Sequence, residues 1–391
     1  MRSRTPFVPV SDAPARSFGM LSSFPPTACG IATFSAALSA GLVANGATVD
    51  VVRCGAAPEM EDAMVVASLD DGTPADLAAA VDALNDTDVA IIQHEYGIYD
   101  GMDGDAVLTI MDGLVVPSIV VAHTVVGAPS ANQRRVLEEV CGLADLVVVM
   151  TASAQSRLIE GFDVDSSKIS VIPHGAATPL TAPLMAAARL PGHTSRLLTW
   201  GLLGPGKGIE WAIDAVASLR DLRPRPNYVI AGATHPKVLV DAGESYRHRL
   251  MSRAKHASAD AFVSFDDTYR DLASLTDLIC SADLVVLPYD SADQVTSGVL
   301  VDAVAAGRPV VSTAFPHAVE LLSSGAGLVV PQRDPVALAE AIRAVLTNPD
   351  LADRMAAEAR RLAPDLSWNA IAGQYDVLAD QLLSTLDSVG A

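Results

Sequence analysis

The stretch PYDSADQVTSGVLVDAVAAGRPVVST, residues 288–313, decides how this chain is read. It follows DLVVL (283–287), an apolar run that reads as a strand of a buried parallel sheet. A polar turn comes next, then VLVDAVAA (299–306), small and apolar all round, the start of a buried helix. Gly307 ends that helix, and RPVVS (308–312) begins the next strand. The turn with Ser297 and Gly298 therefore opens a helix at the carboxyl edge of a parallel sheet, where open α/β sheets bind ligands. Exposed amides and the positive end of the helix dipole favour an anion there, typically phosphate. Asp302, four residues after Gly298, falls on the same helix face. Amides for phosphate beside a carboxylate for ribose hydroxyls suit a nucleotide. A helix cap next to a surface acid is the plainer alternative.

Outward from this stretch, short apolar runs alternate with helical patterns through nearly the whole chain. Strand candidates in the first half are 49–52, 89–92, 118–122, 146–149 and 169–172; the second half adds 197–200, 228–231, 261–264, 284–287 and 310–312. Such alternation means βαβ units and a parallel sheet. Ten strands are too many for one sheet, so the expectation is α/β with two Rossmann-like domains. The boundary is expected in TPLTAPLMAAARLPGHT (178–194), where prolines and small residues collect. Residues 333–349 and 351–362 read as surface helices, and the polar, locally basic segment 236–259 as a solvated helical face. A last amphipathic helix runs over 367–388 with Ser367 as its N-cap.

Half of the 391 residues are apolar, enough to build a core in each domain. No apolar run reaches the ~18 residues that would span a membrane. The opening MRSRTPFVPVSDAPAR has arginines but no apolar core segment, and is expected to be a disordered leader rather than a signal peptide. With 26 basic against 46 acidic residues the net charge is −20, which excludes a broad nucleic-acid or anionic-membrane surface. Cys29, Cys54, Cys141 and Cys280 have no C-x-x-C spacing and read as reduced structural thiols of a cytoplasmic protein, not as a zinc site.

Other strand ends carry further candidates. FPPTACGIATF (24–34) follows an eleventh strand, read at 19–22, and places Gly30 just before an amphipathic helix, although it is neither G-x-G-x-x-G nor a Walker loop. His94, Glu95 and Tyr96 follow the strand ending at Ile92, His123 follows Ala122, and His174 follows Ile172. A single histidine after a strand is commonly structural; three at one sheet edge point to a site. Their spacing matches no metal signature. TWGLLGPGKGIEWAI (199–213) is a strand, a turn with four glycines including Gly204, and a helix; Lys207 is its one cation, placed to meet phosphate.

These residues resemble the family-four group of retaining nucleotide-sugar glycosyltransferases with the GT-B fold. The resemblance runs from about residue 20 to the C-terminus, carried by PPTACGIATF, IPHGA, GLLGPGKGIEWAI and QVTSGVLVDAVAAGRPVV. It implies two Rossmann-like domains facing across a cleft, 17–185 for the acceptor and 193–365 for the nucleotide sugar. It also implies that a C-terminal helix, 366–391, crosses back onto the first domain. By the same resemblance Lys207 contacts the donor diphosphate, Asp302 the ribose, and Gln294 the donor sugar. Ser297, Gly298 and Gly30 line the donor and His123 lies by the donor sugar. Gly204, by its place in the glycine turn, is expected on the donor side, and His94, Glu95, Tyr96 and His174, by their places after strand ends, in the acceptor or sugar pocket.

The chain departs from the family pattern in three places. Gln294 and Asp302 stand where the E-x7-E signature has two glutamates, and Leu202 replaces a common diphosphate-binding arginine. The resemblance implies no cofactor and no metal. The leaving diphosphate would be stabilised by Lys207, the Ser297 and Gly298 amides and the Gly30 loop, with the acceptor hydroxyl attacking on the leaving-group side. A nucleotide-sugar epimerase and a catalytically silent nucleotide-sugar-binding protein remain open on the same fold. A dehydrogenase is disfavoured because its fingerprint is absent. The sequence leaves open the base (UDP, GDP or ADP), the hexose (mannose or glucose as the guess), the acceptor and the oligomeric state.

Overall fold

A computed structural model describes residues 15–27, 29–55, 62–70, 72–177, 192–268, 270–291 and 294–389. Seven parallel strands form a first sheet: β1 (Ser17–Ser22), β2 (Thr48–Cys54), β3 (Val65–Leu69), β4 (Val89–His94), β5 (Ser118–Ala122), β6 (Leu146–Val149) and β7 (Ile169–Val171). Their order is β3-β2-β1-β4-β5-β6-β7. A second sheet holds β8 (Arg196–Trp200), β9 (Asn227–Ala231), β10 (Val263–Asp266), β11 (Leu284–Leu287), β12 (Val310–Thr313) and β13 (Gly327–Val330). It is also parallel and ordered β10-β9-β8-β11-β12-β13. In each sheet the winding reverses once, between β1 and β4 and between β8 and β11. Those are the switch points, where the loops at the carboxyl ends splay apart and leave a crevice.

Helices cover both faces of each sheet, so the central strands carry near-continuous apolar runs such as VAIIQH in β4, buried at all six positions. Around the first sheet lie α1 (Gly30–Ala44), α2 (Pro74–Asn85), α3 (Ala106–Asp112), α4 (Ala131–Leu143) and α5 (Ala152–Gly161). Around the second lie α6 (Ile209–Ser218), α7 (Pro236–Ala242), α8 (Ser245–His256), α9 (Leu272–Cys280), α10 (Gly298–Ala305), α11 (Pro316–Leu321), α12 (Pro335–Thr347) and α13 (Pro349–Leu362). Many starts are fixed by side chains: Thr73 with Asp76 and Ser130 with Gln133 make capping boxes at α2 and α4.

The last helix, α14 (Trp368–Val389), leaves the second sheet and packs on α1 of the first. Ile371, Ala372 and Tyr375 join Phe34, Leu38 and Leu42 in one buried cluster. A Cβ on Gly41 would stand 2.7 Å from the Trp368 carbonyl oxygen, so glycine sets how closely the two helices approach. The chain thus runs between the sheets twice, and the two passages touch: the Ala176 amide donates to the Leu366 carbonyl at 2.8 Å.

Several details differ from the sequence expectation. β3 and β13 were not anticipated; they lie at opposite sheet edges, are short and only partly buried, and so lack a strong apolar signal. β10 begins at Val263 rather than 261. The segment 236–259 is two helices, broken where Gly243 turns to φ +58°. It is not a wholly solvated face, because Tyr246, Arg247, Leu250 and Ala254 are buried and the Arg247 guanidinium donates to the Gly232 carbonyl at 2.5 Å. The helices over 333–362 bury Leu338, Ile342 and Met355, and are surface helices on one side only. Residues 178–191 of the expected boundary and 1–14 of the expected leader lie outside the described residues. Arg16 donates to the Asp376 carbonyl on α14 at 3.0 Å.

Candidate active site

The second sheet contributes two loops at its switch point. In the turn after β8, Gly201, Gly206 and Gly208 have φ of +114°, +90° and +60°. A Cβ on Gly208 would meet the Pro288 carbonyl oxygen at 1.9 Å, so the turn can lie against the β11 loop only with glycine there. The Gly206 carbonyl accepts the Asp290 amide at 3.1 Å. This contact seats Lys207 with its ammonium 4.4 Å from the centre of the Tyr289 ring. Among the described residues no carboxylate pairs with Lys207, although the protein is strongly acidic. Gly204 lies in the same turn, where a Cβ would stand 3.2 Å from Val238 Cγ2.

In the loop after β11, Ser297 caps α10 through its hydroxyl, which accepts the Leu300 amide at 3.3 Å. Its own amide donates to His317 Nδ1 at 2.8 Å. Of the two amides expected to face a phosphate, Ser297's is therefore already used; Gly298's has no partner among the described residues. The Gln294 amide nitrogen donates to the Thr296 carbonyl. That fixes the side-chain orientation and leaves Oε1 as an acceptor, the capacity a carboxylate would have offered there. Asp302 lies one turn into α10, and burial pushes its carboxyl up to about 7. No ion pair or hydrogen bond compensates it among the described residues.

The first sheet presents its own strand ends. Gly30 begins α1 with open space around the place a Cβ would take. Cys29 caps the helix, its sulfur accepting the Ala32 amide at 3.3 Å. Next to it β4 ends in Gln93 and His94, and β5 leads into His123. The Gln93 side-chain oxygen and His123 Nε2 lie 2.6 Å apart. Glu95 accepts the Thr124 hydroxyl; burial raises its carboxyl above the usual range, against that hydrogen bond and the field of Lys237 on α7. His94 was expected to line a pocket, but it is 1 % exposed, set against Tyr96 with ring centres 5.2 Å apart. It supports the site from behind, and neither of its ring nitrogens has a partner among the described residues.

The two sets of loops meet. A Cβ on Gly298 would stand 2.8 Å from His174 Cε1 and Nε2, so the start of α10 touches a histidine from the first sheet. The His174 ring is held between Phe34 and Trp368, with ring centres 5.1 and 5.5 Å away, and its Nδ1 lies 2.5 Å from the Gly175 carbonyl. Phe34 also meets His123 edge-on at 4.8 Å. Val295, 2 % exposed, packs in the core beneath the first sheet although it belongs to the β11 loop, and its carbonyl accepts the Thr151 hydroxyl at 3.0 Å.

Loss of hydration holds the buried histidines neutral. His94, His174 and His317 are each pushed down to about 4. His123 falls to about 3, with repulsion from His174 and His94 adding to burial.

Of the residues picked from sequence, Gly298, His174 and His123 come together through Phe34, and Gln294, Ser297 and Asp302 flank them on one loop and helix. Lys207 approaches the same loop through Tyr289, whereas Glu95 and Tyr96 sit on the first-sheet side. Sequence reasoning passed over Gln93, Phe34, His317, Glu320 and Trp368. His317 carried the same signal as the others, a histidine shortly after a strand end; the rest are visible only through contacts. An open concavity of about 710 Å³ adjoins the glycine turn at Gly206, between Tyr246, Arg249 and Arg333, and includes none of the side chains picked from sequence.

The chain matches two family models, Glycosyltransferase Family 4 over residues 28–178 and Glycosyl transferases group 1 over residues 184–362. A D-inositol 3-phosphate glycosyltransferase of Corynebacterium glutamicum (strain R) is 28 % identical over 292 residues, 69 % of this chain and 68 % of that protein. A glycogen synthase of Mycobacterium tuberculosis (strain H37Rv) is 32 % identical over 233 residues, 59 % of this chain but only 52 % of its own length. Among solved structures, a sucrose-phosphate synthase from Thermosynechococcus elongatus superposes with a TM-score of 0.73 at 20 % identity, covering 95 % of this chain and 100 % of that one. Anabaena Alr3699/HepE in complex with UDP superposes with a TM-score of 0.71 at 18 % identity, covering 94 % and 100 %. Two parallel sheets facing each other at their switch points, and family models matching on both sides of the passage between them, lead to one conclusion: the chain belongs to the family-four glycosyltransferases of the GT-B fold, enzymes that act on nucleotide sugars.

Proposed function

We propose that this chain transfers a hexose, glucose or mannose, from a nucleoside-diphosphate sugar to a hydroxyl acceptor with retention of configuration and without a divalent metal. The observation that carries the reading is the meeting of the α10 N-terminus with the first sheet at Gly298 and His174. A donor seated there has the free Gly298 amide and the helix dipole for its diphosphate, with Lys207 as the unpaired cation nearby. Asp302, four residues on, accepts ribose hydroxyls, while Gln294 Oε1 and His123 accept hydroxyls of the hexose. The Gly30 loop at the start of α1 closes on the diphosphate from the other side. On this reading the first sheet, up to about residue 185, binds the acceptor beside Glu95 and Tyr96, and residues 193–365 bind the donor.

In the chemical step the bond from the anomeric carbon to the diphosphate oxygen breaks. Charge grows on that oxygen and is met by Lys207 and the helix amides. The acceptor hydroxyl attacks from the same side and passes its proton to the departing phosphate oxygen. The family supports this course; Leu202, in place of a common arginine, leaves Lys207 a larger share of the work.

Calorimetric titration of the wild-type chain and Lys207→Ala with UDP-, GDP- and ADP-glucose and the matching mannose donors tests the reading. UDP-glucose, the ligand named for an Anabaena relative, is the first to try. Binding of one donor, weakened about 10–100-fold in Lys207→Ala, is the expected result. A folded protein that binds none of them would overturn it.

A further inference from the structure

We propose that Gln93 is a positioning residue: its side-chain oxygen holds His123 as the Nε2–H tautomer and leaves Nδ1 free to accept a hydrogen bond from a hydroxyl of the bound sugar. The inference rests on the reading of His123 as a contact of the donor hexose, and it assigns the direction of that contact. Gln93 closes β4, 0 % exposed, and its place is fixed by pairing with Val121 on β5. Its side-chain nitrogen lies 3.2 Å from Met20 Sδ on β1. A thioether accepts and cannot donate, so the amide nitrogen must face the sulfur and the amide oxygen must face His123. That oxygen, 2.6 Å from Nε2, can only accept. The proton of the neutral ring is therefore on Nε2, and Nδ1 carries the lone pair with no partner among the described residues.

A neutral amide has a consequence that a carboxylate would not. Glutamate at position 93 would also accept from Nε2, but its charge would stabilise the imidazolium. Nδ1 would then become a donor, and the hydroxyl would lose its acceptor. The titratable groups facing His123 are His94 and His174, both themselves neutral by burial, so nothing around the ring favours its charged form. Phe34, edge-on at 4.8 Å, fixes the ring plane.

Nitrogen-15 NMR of the histidine rings in the full chain tests this, with the His123 signals identified by their loss in His123→Phe. In the wild type at pH 7 the expected pattern is a protonated Nε2 and a pyridine-like Nδ1, unchanged down to pH 5. Gln93→Met keeps the volume but removes the acceptor, and should let both tautomers appear and raise KM for the donor more than it lowers kcat. Gln93→Glu should raise the proton affinity of His123 about 10–1000-fold, moving the acid limb of kcat/KM to higher pH. An Nδ1–H ring in the wild type, or a His123 spectrum unmoved in folded Gln93→Met, would overturn the assignment. If Gln93→Met does not fold, an unmoved His123 titration in Gln93→Glu overturns it instead. The spectra are recorded without donor, so they answer independently of whether a nucleotide sugar binds.

Discussion

Glu320 on α11 accepts the amide of Ser153 at 3.0 Å, so an acid of the second sheet caps α5, a helix of the first. The same carboxylate takes the Ala152 amide at 2.9 Å and the Ser153 hydroxyl at 3.0 Å, three bonds at the positive end of one helix. Beside it, Thr151 donates to the Val295 carbonyl, so the loop that carries Gln294 and Ser297 is fastened to the opposite half of the molecule.

Removing this fastening should loosen both halves together. Glu320→Ala is expected to lower stability by about 1–3 kcal/mol, read from urea unfolding, and to raise KM for the donor. Glu320→Gln, which keeps an acceptor but no charge, should fall between the two. Unfolding midpoints identical in all three proteins would show that the cap contributes nothing.

Gly298→Ala addresses the contact that carries the functional reading. The added methyl has no room beside His174, whose ring is pinned by Phe34 and Trp368. The expected result is a loss of 10–100-fold in kcat/KM, with the fold retained by circular dichroism. Combining it with His174→Ala should restore part of the loss, giving a coupling of at least ~1 kcal/mol. Strict additivity would mean that the two residues do not meet during turnover.

Asp302 gives a prediction with a definite sign. Its folded carboxyl titrates near 7 and its unfolded one near ~3.9, so the native state holds the extra proton between those values and loses stability as pH rises through them. Asp302→Asn should therefore stabilise the unliganded chain at pH 8 by about 1–2 kcal/mol, a figure discounted for the partial accessibility of the carboxyl, and hardly at all at pH 4. The same change should weaken donor binding at pH 8. Equal stabilisation at both pH values would show that the buried charge is not its cause.

The histidines pull the other way. His94, His123, His174 and His317 titrate near 3 to 4 when folded and near ~6.5 when unfolded, so their contribution is complete above that value and is lost as pH falls from it toward 4. At pH 5.5 unfolding should take up about one proton per histidine, against the release of about one from Asp302. The four histidines outweigh it. The urea midpoint should rise from pH 5 to pH 7, and His317→Asn should flatten that slope by about a third.

The alternation of apolar runs was enough to place eleven of the thirteen strands, because strands buried on both faces need apolar residues at every position. β3 and β13, two of the four edge strands, were not legible, since each has little to bury. Lys207, Gly298, Asp302 and His123 could be picked as candidates because polar groups and glycines at a strand's carboxyl end leave a local mark in the sequence. Gln93 was not: a glutamine at the end of an apolar run looks like the point where a strand runs out. Its meaning depends on Met20 and His123, which are 73 and 30 positions away. Phe34 and Trp368 read as ordinary core residues of two helices, and only the return of α14 onto α1 brings both to His174.

That return also limits how the enzyme can open. The outgoing chain at Ala176 and the incoming chain at Leu366 are hydrogen-bonded side by side, so the halves are joined by a short two-stranded strap instead of a single tether. A single tether works as a ball joint and permits twist in any direction; two pinned strands permit bending like a door. The loop after β11 and the histidines should therefore meet again in the same register after every opening, because the swing has one axis.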